Sequence, residues 1–379
     1  MTTSAFRSLL LSLALAAAMP AAAASINAGD RPATAKKPFE ATAIAEFDTP
    51  WAIAFLPDGR LLVTEKPGGL FLVTQKGEKS GVSGVPEVAA SGQNGLLDVA
   101  VSPRYSEDGT IYLTYVAPDR GGTSLVLAKA RLDESGGGAR LSEFSELFRQ
   151  KPGGRGQPGG IIAFDPEGTH LFLTVGDRME PETAQDPDMA RGKVFRLTLD
   201  GKPAPGNPEA GKPGVAAMTW STGHRNPYGL AFAPDGRLWL HEMGPKGGDE
   251  FNRIEPGLNY GWPVVSNGDQ YSGAPIARHE TRPEFAAPPL YWNLVIAPAG
   301  LAFYESGLFP EWKGSALIGG LAGLCLVRVT FDEGGNPDEA ERFDMEARIR
   351  DVAVAPDGAV WIVEDDQPGR LLRLAPPGK

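Results

Sequence analysis

The chain has 379 residues, 42% of them apolar, a formal net charge of −11 and one cysteine. That length can bury a large core as one big domain or two ordinary ones. The acidic balance argues against a nucleic-acid partner, which needs a basic surface, and a lone Cys325 excludes an internal disulfide.

At the amino end, Arg7, the apolar run Leu9 to Ala18 and the small-residue stretch Ala21 to Ser25 read as an export signal over residues 1–24. A periplasmic or secreted protein is expected, with no membrane span after the signal is removed, because no later apolar run approaches about 18 residues. Residues 25–40 read as a flexible lead-in, and residues 41–377 as the folded domain.

The strongest pattern is a repeat of apolar alternation, a Pro-Asp-Gly turn or a relative of it, and a second strand. It stands at Trp51–Thr64 and at Asp351–Val363. Variants lie at Leu97–Thr114, Ile162–Val175 and Leu230–Leu240, and a weaker copy runs from Gly300 to Gly320. Strand-period signals dominate, and no long apolar stripe has helical spacing. Six copies through the chain predict an all-β fold, a six-bladed β-propeller with long connecting loops at one face. The first strand, Ala41 to Phe47, is expected to close the ring against Arg370 to Leu374.

The fourth copy, from Ser221 to Glu250, has a polar loop before its hairpin and another after it. An antiparallel pair returns both loops to one end. In a propeller the loops that enter each innermost strand converge on one mouth of the central channel. Those loops present Gln93-Asn94-Gly95, Gly156-Gln157-Pro158, His224-Arg225-Asn226, Trp292 and Arg348-Ile349-Arg350. Three arginines and several amides pointing at one spot make a receptor for a polyanion, since guanidinium binds carboxylates in bidentate fashion. The competing expectation is that these arginines pair with blade-edge acids such as Asp98, Asp249 and Asp351. A lone histidine beside a repeat, His224 or His241, is expected to be structural.

Several motifs carry a family resemblance: Gly92-Gln-Asn-Gly-Leu-Leu-Asp, Thr183-Ala-Gln-Asp, Gly192-Lys-Val-Phe-Arg-Leu, Gly223-His-Arg-Asn-Pro-Tyr-Gly, Glu242-Met-Gly-Pro-Lys-Gly-Gly-Asp-Glu, Asn259-Tyr-Gly-Trp-Pro and Arg348-Ile-Arg-Asp-Val. From about Phe47 to Leu374 the chain resembles the soluble glucose/sorbosone dehydrogenases, aldose dehydrogenases that use pyrroloquinoline quinone (PQQ) on six-bladed propellers. The resemblance implies that Arg225, Asn226, Arg348 and Arg350 hold the carboxylates and oxygens of PQQ. It also implies that Gln93 sits near an aldose substrate, that Trp292 forms a pocket wall, and that the main-chain carbonyls of Gly244 and Pro245 help bind calcium. The electron acceptor stays open.

Where the family carries a proton-accepting histidine, this chain has Gln157. Ile161 stands at a family arginine, and Ala322-Gly323-Leu324 where a cofactor-contacting lysine is expected. An amide has no accessible protonation step. If the dehydrogenase chemistry holds, Asp177, at the end of the outgoing strand of the third repeat, is the candidate base. Two alternatives stand beside it: a non-catalytic binder of an anionic ligand, and a calcium-dependent lactonase-type hydrolase, which would need side-chain carboxylates and amides converging on the channel.

Overall fold

The computed structural model describes residues 25–120 and 122–378; the export signal expected over residues 1–24 lies outside them. Six sheets stand around one axis. Their innermost strands are Pro50–Phe55, Leu96–Val101, Gly159–Phe164, Pro227–Phe232, Pro298–Phe303 and Ile349–Val354. Each touches the next around the ring, so these strands head blades 1 to 6 of the propeller that the repeat predicts.

The Pro-Asp-Gly turns join first to second strand in blades 1, 4 and 6. In each the glycine has positive φ, 85° at Gly59, 82° at Gly236 and 87° at Gly358. The aspartate carboxylate accepts the amide two residues on, from Arg60, Arg237 and Ala359.

All six innermost strands carry a bulge against their second strand, at the end nearest the mouth. A bulge leaves an amide without a ladder partner, and in blades 1 to 3 a threonine on the second strand takes it up. The Thr64 hydroxyl accepts the Ala52 amide (2.9 Å) and donates to the Leu97 carbonyl of blade 2 (2.7 Å). Thr114 repeats this between Asp98 and Gly160, and Thr174 between Ile161 and Pro227. In blade 4 the same place is held by His241, whose ring bonds the Gly300 carbonyl of blade 5 at 2.9 Å. Two carboxylates continue the stitching: Asp98 accepts the Ile162 amide and Asp351 the Ile53 amide.

The ring closes as the sequence leads one to expect. Glu40–Phe47 pairs antiparallel with Gly369–Ala375, with Ala41 opposite Leu374 and Glu46 opposite Arg370. The stretch before it differs from a flexible lead-in. Ile26–Asn27 adds a fifth strand to blade 4, parallel to Leu290–Tyr291, Ala28 is fully buried, and Arg342 donates to the Ala28 carbonyl at 2.8 Å. The segment is held because it covers the outer edge of a sheet, where unpaired ladder groups would otherwise lie open.

Thr114 is wholly buried, so Thr114→Val strands a buried N–H and a buried C=O together. We expect a loss of about 1–3 kcal/mol, read as a lower urea midpoint at unchanged slope. A midpoint equal to the parent's would mean that the hydroxyl bridge adds nothing.

Candidate active site

The mouth is built by two sets of loops, those that enter the innermost strands and those that leave the second strands at the same end. A cavity of about 210 Å³ there is lined by Gln93, Arg348 and Arg350, with Trp51, Lys66, Tyr228, Met243, Leu321 and Asp365. Lys66, Met243, Leu321 and Asp365 were not singled out from the sequence. Each follows the end of a second strand, which antiparallel pairing returns to the mouth, so strand order alone marks their positions. Backbone strain marks the same face. Thr49, Gln157, Arg178, Met179, Ala297 and Leu324, on the loops into innermost strands or out of second strands, all have φ between 45° and 63°, a conformation that side chains other than glycine seldom adopt.

The arginines do not pair with Asp98, Asp249 and Asp351, whose carboxylates accept main-chain amides instead. Arg348 and Arg350 share one carboxylate, Asp365, at 2.7 and 3.0 Å. Burial would raise the Asp365 pKa, but the two guanidiniums outweigh it and hold the acid below its usual range. Two cations against one anion leave a positive charge facing the cavity. Arg350 also stacks on Trp51 and Tyr228, 5.8 and 5.7 Å from the ring centres.

Arg225 stands on the adjoining wall between the rings of Trp262 and Tyr271, at 5.3 and 5.8 Å. Its guanidinium donates to the carbonyls of Met243 (3.0 Å) and Gly244 (2.8 Å), so the loops on either side of the blade-4 hairpin meet. Gly244 has no room for a side chain: a Cβ there would lie 2.2 Å from the Gly247 oxygen. The loop is pinned from beneath by buried Asp249, which accepts the amides of Gly244, Ile296 and Ala297. Asn226 is fully buried, and four buried polar atoms of this wall and its neighbour lack a partner: Asn226 Oδ1, Tyr228 Oη, Arg225 Nε and Arg350 Nε.

Gln157 comes to the mouth with its backbone amide on Gln93 Oε1 at 2.7 Å. Its side chain fits with the nitrogen on Asp177 and the oxygen 2.8 Å from Arg225. Asp177 lies behind it, 1% exposed, and accepts the Met179 amide and the Trp262 indole N–H, each at 2.8 Å. Burial pushes its pKa up to about 6, against the pull of the Met179 amide and Arg225. Asp177 therefore reaches the mouth only through Gln157.

Trp292 is not part of this wall. It ends the outer strand of blade 4, is fully buried, and its indole donates to Glu339 of blade 5 at 2.6 Å. Five further residues, 293–297, separate it from the next innermost strand, and they carry the chain to the mouth without it. His224 and His241 are structural. His224 bridges Ser221 and Glu242 at 2.9 and 2.8 Å with all three buried.

Below the mouth, and sharing Trp51, Tyr228 and Arg350 with it, a channel cavity of about 170 Å³ holds Asp98 and Asp351. Among the described residues no group of three or more His, Cys, Asp or Glu is placed to hold a metal ion.

The chain matches the family described as Glucose / Sorbosone dehydrogenase over residues 47–373. It is 38% identical over 341 residues to the aldose sugar dehydrogenase YliI of Escherichia coli K12, covering 87% of this chain and 91% of that protein. The crystal structure of the soluble aldose sugar dehydrogenase of Escherichia coli in its apo form superimposes with a TM-score of 0.84 at 37% identity, over 89% of this chain and 99% of that one. The PQQ-bound aldose sugar dehydrogenase of Streptomyces coelicolor gives a TM-score of 0.73 at 31% identity, over 91% and 99%.

The buried acids also give the fold an unusual pH response. Burial pushes Asp249 up to about 7 and, with Asp98 opposite, Asp351 up to about 8. The unfolded chain releases these protons near pH 4. Between about pH 6.5 and 8 the folded state thus binds more protons, and stability falls as pH rises. Buried His241, lowered to about 4, works in the opposite sense only below its unfolded value of about 6.5. We expect the denaturation midpoint to drop across that window and Asp351→Asn to flatten the slope. An equal slope in the variant would show Asp351 ionised throughout.

Proposed function

The chain belongs to the glucose/sorbosone dehydrogenase family, and on that premise we propose that it is an exported PQQ-dependent aldose dehydrogenase that oxidises the anomeric carbon of its sugar. The observation that carries this reading is the mouth itself, where guanidiniums outnumber their acid and buried polar atoms await partners in a protein of net charge −11. Such a cup suits a flat ligand bearing several carboxylates. No helix among the described residues is long and apolar enough to cross a membrane.

Arg348 and Arg350 would hold carboxylates of PQQ, while Arg225 and the unpartnered Asn226 oxygen would face its remaining polar edge. PQQ, when bound, supplies the acceptor for the hydride that leaves the anomeric carbon as the aldose becomes a lactone. Gln93, whose side-chain oxygen accepts the Gln157 amide, would hydrogen-bond a sugar hydroxyl. The proton released from the anomeric hydroxyl needs an acceptor, and Gln157 cannot be one. Asp177 is the candidate, reached when the Gln157 amide swings aside.

Calcium belongs to the same reading, at the carbonyls of Gly244 and Pro245. As arranged, the Gly244 carbonyl already accepts the Arg225 guanidinium at 2.8 Å. A cation there would have to displace the guanidinium from the Gly244 carbonyl. Binding of an anionic ligand without turnover is the second reading, favoured by the amide at position 157. For the lactonase-type alternative, Asp98 and Asp351 share the channel cavity, but among the described residues no group of three or more His, Cys, Asp or Glu joins them.

Purified protein given PQQ and calcium should reduce an artificial dye when aldoses are added. Tight PQQ binding with no turnover over a broad sugar panel would leave only the second reading, and no PQQ binding would remove both. Gln157→His places an imidazole against Asp177, and turnover should rise by roughly 100-fold, the lower range for an added general base; an unchanged rate would mean that this is not the base position. Arg350→Met should weaken PQQ binding about tenfold or more, measured by fluorescence titration.

A further inference from the structure

Two cations behind the loops of the mouth have no role in the scheme above. Arg178 is fully buried and Arg191 is 6% exposed, yet every hydrogen bond either guanidinium makes goes to a neutral acceptor. Arg178 donates to the Thr123 hydroxyl (2.7 Å), the Thr123 carbonyl (3.1 Å) and Asn94 Oδ1 (3.3 Å). Arg191 donates to the carbonyls of Pro152 and Gly153. The Nε of each has no partner. The acids that face them, Asp177 for both and Glu180 for Arg191, stand beyond ion-pair distance, and the two arginines repel one another.

A buried charge without a counter-charge is among the costliest features a fold can carry. Here it is compounded by a left-handed backbone, φ 60°, at Arg178. Both residues belong to the loop that leaves the second strand of blade 3, and both brace the segment that carries Gln157. The Arg178 amide donates to the Gln157 carbonyl, and the Arg155 amide to the Arg178 carbonyl, each at 3.3 Å. Asn94, which Arg178 bonds, follows Gln93 in the mouth. Arg178 also lies near enough to Tyr228, a mouth residue, to favour the ionised form of its phenol. The charge of the two guanidiniums is therefore not cancelled by an ion pair, and the hydrogen bonds of Arg178 run to the loops that carry Asn94 and Gln157.

We propose that Arg178 and Arg191 are positioning residues for a multiply charged anionic ligand, drawing it into the mouth by uncompensated charge while fixing the loop that presents Gln157. The proposal rests on the quinone reading for the identity of the ligand, but not for its charge.

The test uses benzoate, isophthalate and trimesate, three probes of one ring carrying one, two and three carboxylates, with PQQ alongside. Affinities are measured calorimetrically at low and high salt for the parent chain, Arg178→Met, Arg191→Met and Arg178→Lys. Each methionine variant should lose affinity by a factor that grows with probe charge, on the order of tenfold for trimesate, and the loss should shrink at high salt. Arg178→Lys should recover most of it.

If Arg178→Met does not fold, Arg191→Met and Thr123→Val carry the test, the latter removing the hydroxyl's hydrogen bonds to Arg178, Gly154 and Asn94 but no charge, and sparing the charge dependence. An equal loss for all three probes would assign the arginines a structural role only and overturn the proposal, as would no loss at all, or a parent chain that binds none of the probes. A parent that binds trimesate in this charge-graded way but not PQQ would sink the quinone reading and leave this one standing.

Discussion

The hydroxyl bridge at the bulge of the innermost strands of blades 1 to 3 is the interaction on which the rest of the molecule depends. A propeller blade cannot hydrogen-bond sideways to its neighbour through its ladder, because the two sheets meet face to face. In blades 1 to 3 the irregular residue of one strand is tied, through one threonine, to the carbonyl of the next blade. The bulge that creates the need for the bridge also bends the strand end, and that bend aims the preceding loop at the axis. Stability between blades and convergence at the mouth thus come from one local device.

Charge is distributed against the average of the chain. An acidic protein keeps its surface anionic, which favours solubility, and concentrates cations where the loops converge. The mouth arginines differ in how they are compensated: Arg348 and Arg350 share Asp365, Arg225 is met by carbonyls and an amide, and Arg178 and Arg191 by neutral groups alone. The acids that could have neutralised them are spent on main-chain amides. Asp98, Asp249 and Asp351 each stitch one loop or strand to another, and this leaves the guanidiniums to the site.

Much of this was legible before any coordinates. The Pro-Asp-Gly repeat carries turn chemistry that physics makes specific, so blade number and ring closure follow from it. The arginines at blade entrances were legible because position within a repeat is position in space. Trp292 was misplaced because a residue ahead of a repeat is not always at the mouth; a few intervening residues let it turn into the core between blades 4 and 5. Of the residues missed, Lys66, Leu321 and Asp365 follow the second strands of blades 1, 5 and 6, where the antiparallel rule applied to blade 4 marks the same end, and Met243 follows the hairpin of blade 4 itself. Nothing in the sequence signalled that Asp177 sits behind Gln157, since that depends on a strained loop whose backbone angles no local pattern prescribes. The docking of Ile26–Asn27 was equally silent, because two residues are too few for a strand period.

The seam of the ring joins Glu40–Phe47 to Gly369–Ala375, segments far apart along the polypeptide. During synthesis the early segment emerges with its partner not yet made, so until that partner follows the circle stays an open crescent. A polypeptide cut before Gly369 would be left with one bare sheet margin, an adhesive edge for other copies of itself.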